Sequence, residues 1–307
     1  MINQHQITVT AMAIPITVTY LTAGTGTPLL LLHGLGDSAQ AWERVMPMLA
    51  REHTVYALDL PGFGNSDKPN VNYSPDFFMA FVAAFLDALG IERVGVVGNS
   101  LGGLIAIRLA LAAPSRVSAL ALISSAGLGR EINITMRILT LPTVEIMLAT
   151  WNRTFIGAWQ WATALSLTLF AYPTRISQSW LGQIYRMALT PGYAEATVAT
   201  ARSTTTLDGQ RDSVIMLDEL PHLQMPTLVI WGMGDRVLPS HHAAAAMQRL
   251  PDGQLLLVPD VAHSPRRMCR TGRSGSPAIF HRTYRRRCTY VQPCGITPQH
   301  TLPPSPH

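Results

Sequence analysis

Residues 1–265 contain no cysteine; all three in the chain, Cys269, Cys288 and Cys294, fall beyond them. The body of the protein therefore offers no thiol for a disulfide framework or a cysteine metal site. Charge is scarce as well, at 13% of residues, about half of what is usual for a soluble domain. What charge there is divides unevenly. Residues 266–307 hold eight arginines and no acid, whereas residues 1–265 hold 15 basic and 18 acidic side chains. Without a basic surface on the body no nucleic-acid partner is expected, and a small-molecule substrate is. The opening MINQHQITVTAMAIPITVTY has no basic stretch ahead of an apolar one and alternates as strands do. No signal peptide is expected there, and the cytoplasm is the default location.

Against these absences stands a long apolar rhythm. Residues 7–20 alternate apolar and polar with β-branched side chains, which predicts an opening pair of strands. PLLLLHGLG is a continuous apolar run ending in glycines, the pattern of a strand buried on both faces with a loop at its carboxyl end. HTVYALDLPGFG, RVGVVGNSLGGLIAIRLALAAP and RVSALALISSAG repeat it, with helical apolar spacing from Asp76 to Leu89. Strands alternating with helices predict an α/β fold with a mostly parallel, doubly wound sheet.

The rhythm stops between about Leu128 and Leu217 and resumes with MPTLVIWGMGD and GQLLLVPDVAH. Four of the six tryptophans (Trp151, Trp159, Trp161, Trp180) lie in the gap. The organisation expected is a core from 1–127 and 218–265, interrupted by a helical cap over 128–217. Thr154 to Thr174 carries no charge and approaches a membrane span in length. Its Gln160, its Ser and Thr residues and Pro173 point instead to a cap helix pair roofing an apolar pocket, and no membrane role is expected. Residues 266–307, rich in Arg, Pro and Gly and without helical period, read as an atypical basic tail, either disordered or the product of a shifted reading frame.

Chemistry concentrates at Gly98-Asn-Ser-Leu-Gly102, a G-x-S-x-G segment between a strand and a helix. A sharp strand-to-helix turn lifts the serine hydroxyl above the sheet, and flanking glycines remove side chains that would collide. Ser100 is thus the candidate nucleophile. It needs a base and an orienting acid. Of ten histidines, His263 follows a late strand and a short loop and is the candidate base. His5, His53, His241 and His242 sit in loops or at a helix start; His222 reads as a surface or packing residue; His33 reads as a brace for its own loop. Asp235 ends a late strand and is the candidate acid, whereas Asp59 precedes the nucleophile and leads into a Pro/Gly turn, a structural position. The order Ser100, Asp235, His263 is that of an α/β-hydrolase site. Leu101, just after the nucleophile, and Leu35, in the loop His33-Gly34-Leu35-Gly36, are the expected oxyanion-hole donors. His33, Gly34, Gly36 and Asn99 are expected to form the substrate-facing loop. The histidines show no metal-ligand spacing, so no metal and no cofactor are expected.

With HGLG, DLPGFGNSD, GNSLGG, WGMGDRVLP and VAHSP spread over residues 1–265, the sequence resembles the α/β-hydrolase family. GNSLGG, SSAGLG and the cap are similar to the meta-cleavage product hydrolases, which cut carbon–carbon bonds of ring-fission dienones, and to related esterases. That subgroup usually has a tryptophan after the catalytic histidine; here Ser264 and Pro265 follow. The resemblance implies a serine hydrolase acting on a small, largely apolar ester, lactone or dienone. An acyltransferase or cofactor-free perhydrolase on the same residues, and a non-catalytic ligand-binding relative, remain alternatives. Haloalkane dehalogenases and epoxide hydrolases of the family use an aspartate where this chain has Ser100.

Overall fold

A computed structural model describes residues 1–170, 176–259 and 261–263. The basic tail and the end of the uncharged cap segment lie outside the described residues. The core is one eight-stranded sheet in the order β1-β2-β4-β3-β5-β6-β9-β10. Its strands are β1 (Asn3–Ala11), β2 (Ile14–Ala23), β3 (Thr27–Leu32), β4 (His53–Leu58), β5 (Val94–Asn99), β6 (Val117–Ile123), β9 (Thr227–Gly232) and β10 (Gly253–Val258). The remaining two, β7 (Thr205–Thr206) and β8 (Gly209–Gln210), form a small hairpin of their own. The first two strands of the sheet pair antiparallel and the rest run parallel from β4 onward.

Burial explains the sequence pattern. Leu30, Leu31 and Leu32 are wholly buried, and every residue of β5 is buried, because these central strands are covered on both faces. On one face lie α2 (Pro75–Ala88) and α3 (Leu101–Ala112). Helix α2 is started by Ser74, whose hydroxyl accepts from the Phe77 amide, with Pro75 at the first turn. It buries Phe77, Phe78, Phe81, Val82 and Phe85. Helix α3 is apolar nearly all round because it sits between the sheet and α2. On the other face Trp42, Met46 and Leu49, the last two on the short α1 (Met46–Leu49), pack against Leu31, Val55 and Val97. Helix α9 (His241–Met247) lies along β9 and β10.

After β6 the chain leaves the sheet and forms α4 (Ile134–Ile138), α5 (Val144–Trp151), α6 (Phe155–Leu169), α7 (Gln178–Leu189) and α8 (Tyr193–Thr204) before returning. These five helices lie between the strands β6 and β9 of the sheet. The uncharged segment is helical over α6, 15 residues long. Among the described residues no helix is long and apolar enough to cross a membrane. Ala158, Ala162, Leu165 and Leu169 of α6 face inward, whereas Phe155, Ile156 and Leu167 on the opposite face stand in solvent. An uncharged helix with apolar residues all round gives no sequence signal of which face is covered.

Sheet order positions the site. β3 and β5 are neighbours, and the connection leaving β3 runs to β4 on one side while the connection leaving β5 runs to β6 on the other. The loops leaving β3 and β5 therefore open into a common crevice at the carboxyl edge of the sheet, where ligands bind in open α/β folds.

Candidate active site

β5 ends at Asn99, α3 begins at Leu101, and Ser100 is the single residue between them. Its backbone has φ 54° and ψ −117°, a conformation L residues rarely adopt, at a cost of order 1–3 kcal/mol. Surrounding bonds hold it there: the Ser100 amide donates to the Ile123 carbonyl (3.0 Å), and the Ser100 carbonyl accepts from Gly103 (2.9 Å) and Ala126 (3.1 Å). The glycines of the motif are required by close approach. A Cβ on Gly98 would collide with the Gly102 carbonyl, and one on Gly102 with that of Leu32. The positive end of the α3 dipole thus begins directly at Ser100.

Two late loops meet there. After β9, Asp235 turns its side chain fully inward; Oδ1 accepts from the Val237 (2.8 Å) and Leu238 (3.0 Å) amides. The other oxygen, Oδ2, lies 2.9 Å from His263 Nδ1. An ionised carboxylate only accepts, so Nδ1 carries the proton and Nε2 keeps a lone pair in the neutral ring. Burial pushes the Asp235 carboxyl up, but the His263 imidazole and the two amides outweigh it and hold it below the usual carboxylate range. The His263 loop is tied to β5 by Asn99, whose Nδ2 donates to the carbonyls of Ile123 (3.0 Å) and His263 (3.3 Å).

Ser100 and His263 line the same cavity, of about 50 Å³, together with Gly34, Leu35, Asn99 and Leu101. Apolar walls come from Ile132, Met136, Leu169 and Val237; hydroxyls come from Thr200, Thr204 and Thr205, beside Asp37 and Gln210. None of these lining residues is an arginine or lysine.

Of the four residues expected in the substrate-facing loop, Gly34 and Asn99 line the cavity, while His33 and Gly36 are engaged in holding the loop. The wholly buried His33 ring has Nδ1 2.8 Å from the Gly34 carbonyl and Nε2 accepting from the Leu60 amide (3.0 Å), which fixes the proton on Nδ1 and uses both nitrogens in bracing the loop. Gly36 has φ 73° and its carbonyl accepts from the Tyr193 hydroxyl (2.8 Å). Its turn needs the left-handed conformation, and its far side faces the cap.

Asp59 has the structural place its position suggested. Its carboxylate accepts from the amides of Ala39 (2.6 Å) and Asn65 (2.8 Å). Burial pushes it up to about 6 against those bonds.

Sequence reading missed the cap's grip on the loop after β3. Trp180 Nε1 donates to Asp37 Oδ1 (3.2 Å), and Trp161 Nε1 donates to the Tyr193 hydroxyl (3.3 Å), which in turn donates to Gly36. Three cap helices, α6, α7 and α8, thereby converge on residues 36–37. Burial raises the Tyr193 phenol far above neutrality, so it is a permanent donor. Sequence reading also missed the pairing of His242 with Glu131. The buried His242 Nε2 lies 2.8 Å from Glu131 Oε2, and His241 Nε2 lies 3.4 Å from Oε1. These three could offer ligand atoms within 4.8 Å of one another. Here the Glu131 carboxylate is hydrogen-bonded to His242 with His241 beside it, joining residue 131 to α9.

The comparisons with known proteins agree with this architecture. Residues 27–265 match the family model described as the alpha/beta hydrolase fold. An uncharacterized protein of Mycobacterium tuberculosis is 32% identical over 249 residues, covering 79% of this chain and 72% of that protein. The 2-hydroxymuconate semialdehyde hydrolase of Pseudomonas sp. (strain CF600) is 32% identical over 250 residues, covering 78% of this chain and 82% of its own. The solved meta-cleavage product hydrolase from Pseudomonas fluorescens IP01 superposes with a TM-score of 0.67 at 25% identity, over 84% of this chain and 90% of that one.

Proposed function

The chain belongs to the α/β-hydrolase family, and from that premise we propose that it is a serine hydrolase of small, uncharged, largely apolar esters or lactones. The reaction would run through Ser100, His263 and Asp235. The observation that carries this reading is the His263–Asp235 hydrogen bond of 2.9 Å, in the tautomer that leaves Nε2 free, on a ring sharing a cavity with Ser100. In this reading the Ser100 hydroxyl attacks the carbonyl carbon while His263 Nε2 takes its proton. Asp235 stays ionised and stabilises the imidazolium. The amides of Leu35 and Leu101 receive the oxyanion, each worth on the order of 3 kcal/mol in the transition state. Protonated His263 then gives its proton to the leaving alcohol, and water, deprotonated by the same ring, releases the acid.

A second reading, hydrolysis of a carbon–carbon bond in a ring-fission dienone, draws on the Pseudomonas relative. Muconates carry a carboxylate, ionised at neutral pH. A cavity whose described walls include Asp37 but no arginine or lysine favours the neutral ester over that anion. Steady-state hydrolysis of p-nitrophenyl acetate, butyrate and octanoate against a ring-fission dienoate separates the two. The short neutral esters are expected to give at least about tenfold higher kcat/KM, the order of one missing charge-assisted contact. A preference for the dienoate would overturn the ester reading.

The cap's grip on the oxyanion loop gives a further expectation. Tyr193→Phe leaves the buried Gly36 carbonyl without its donor, at about 1–2 kcal/mol. The loss should appear in the urea midpoint, and in kcat more than in KM, because the displaced loop carries the Leu35 amide. An unchanged kcat in a folded variant would uncouple Tyr193 from the loop's alignment.

A further inference from the structure

The outward side of the cap carries chemistry that the cavity does not use. From Ile146 to Ala194 the sequence has no aspartate or glutamate; its only charges are Arg153, Arg175 and Arg186. Within this acid-free stretch, α6 divides cleanly by face. Phe155, Ile156, Trp159, Thr163 and Leu167 recur at helical spacing on the exposed side, with Phe155 65% and Ile156 60% exposed. Exposed Trp151, at the carboxyl end of α5, adjoins it, whereas the one acid of α5, Glu145 in its first turn, is paired with Arg202.

The aromatic members are held in place. Tyr185 of α7 meets Phe155 edge-on, with ring centroids 5.7 Å apart, and lies 5.5 Å from Trp159. Trp151 Nε1 donates to Gln160 Oε1 (2.8 Å). A contiguous face of this size, unlike isolated exposed apolar residues, marks a surface that another phase or molecule covers. Its charge decides which one. Exposed Arg153 sits between α5 and α6, and the absence of carboxylates from the whole stretch complements an anionic partner. Tryptophan and tyrosine with arginine, beside phenylalanine and isoleucine, is the composition of helices lying in the headgroup layer. At 15 residues α6 spans about 22 Å along its axis, too short to cross a bilayer and suited to lying in its surface.

We propose that the outer face of α6, with the adjoining carboxyl end of α5, docks on the surface of an anionic lipid bilayer, seating Phe155, Ile156 and Trp159 among the acyl chains with Arg153 at headgroup level. This docking stands independently of the reaction assigned to Ser100. It also gives Leu169, on the inner face of the same helix and in the cavity wall, a place just beneath the membrane-facing surface.

The test uses the full chain with vesicles of phosphatidylglycerol and phosphatidylcholine whose acyl chains are brominated, against phosphatidylcholine alone. Both co-sedimentation and quenching of tryptophan emission are read. The arginine-rich residues 266–307 contain no tryptophan, so their adsorption would sediment protein without quenching it. Expected are quenching by the anionic vesicles and at least tenfold weaker partitioning in Phe155→Ser/Ile156→Ser, which keeps both exposed indoles as reporters. Arg153→Glu, which leaves the apolar face intact, should weaken binding to anionic vesicles several-fold while leaving solution ester hydrolysis unchanged. Sedimentation without quenching would overturn the proposal, as would equal partitioning by folded variants. So would analytical ultracentrifugation showing dimers that the double variant turns into monomers, with no quenching by vesicles.

Discussion

Replacing Ser100 with alanine should lower kcat on a short p-nitrophenyl ester by about 10⁵-fold or more and abolish covalent labelling by a fluorophosphonate. The size of the effect follows from the division of labour in the site. Without the hydroxyl, His263 has no nucleophile to activate, and what remains is substrate binding and the amides of Leu35 and Leu101. Those elements alone leave roughly 10³- to 10⁴-fold over the uncatalysed reaction in comparable sites. Alanine keeps a Cβ at the same φ of 54°, so the backbone conformation and its cost are unchanged. A near-native denaturation midpoint should therefore accompany the loss. Residual turnover within tenfold of the parent would mean that the chemistry runs through another group.

Asp235→Asn should cost about 10⁴-fold in kcat with little change in KM. The amide oxygen can still accept from the Val237 and Leu238 amides that Oδ1 serves now. Its NH₂ would then face His263 Nδ1 and donate to it. That reverses the tautomer: Nε2 would carry the proton, and Ser100 would face a donor where it needs an acceptor. The substitution also changes the acid limb of the stability curve. The Asp235 carboxyl is held below its ordinary value in the folded state, so its contribution is present above the ordinary carboxylate range and lost as pH falls through the folded pKa. Asparagine has no such loss, and the variant's urea midpoint should fall less steeply at low pH. A kcat near that of the parent would remove Asp235 from the proposed mechanism.

Much of this site was legible because its logic is local. Gly98, Ser100 and Gly102 sit in five consecutive residues, and the collisions that demand glycine there arise within the same turn and with the neighbouring strand. Asp235 and His263 each lie in the loop after a strand whose apolar run is visible in the sequence. The cavity's distal wall was not legible. Thr200 and Thr204 of α8 and Thr205 of β7 look like ordinary polar residues, and only the packing of α8 against α5 and α7 turns them inward. Trp180 and Asp37 are 143 positions apart and His242 and Glu131 are 111 apart, distances over which periodicity carries no information. In the loop after β3 the residues that line the cavity and those that hold the loop lie within four positions of one another, and periodicity does not sort them.

The bonds from Trp180 and Tyr193 to residues 36–37 have a consequence for motion. A cap that swings aside to admit substrate pulls on the segment that carries the Leu35 amide. Entry path and oxyanion loop are thus mechanically joined, and any displacement of the cap would be felt at the Leu35 amide as well as in the cavity's wall.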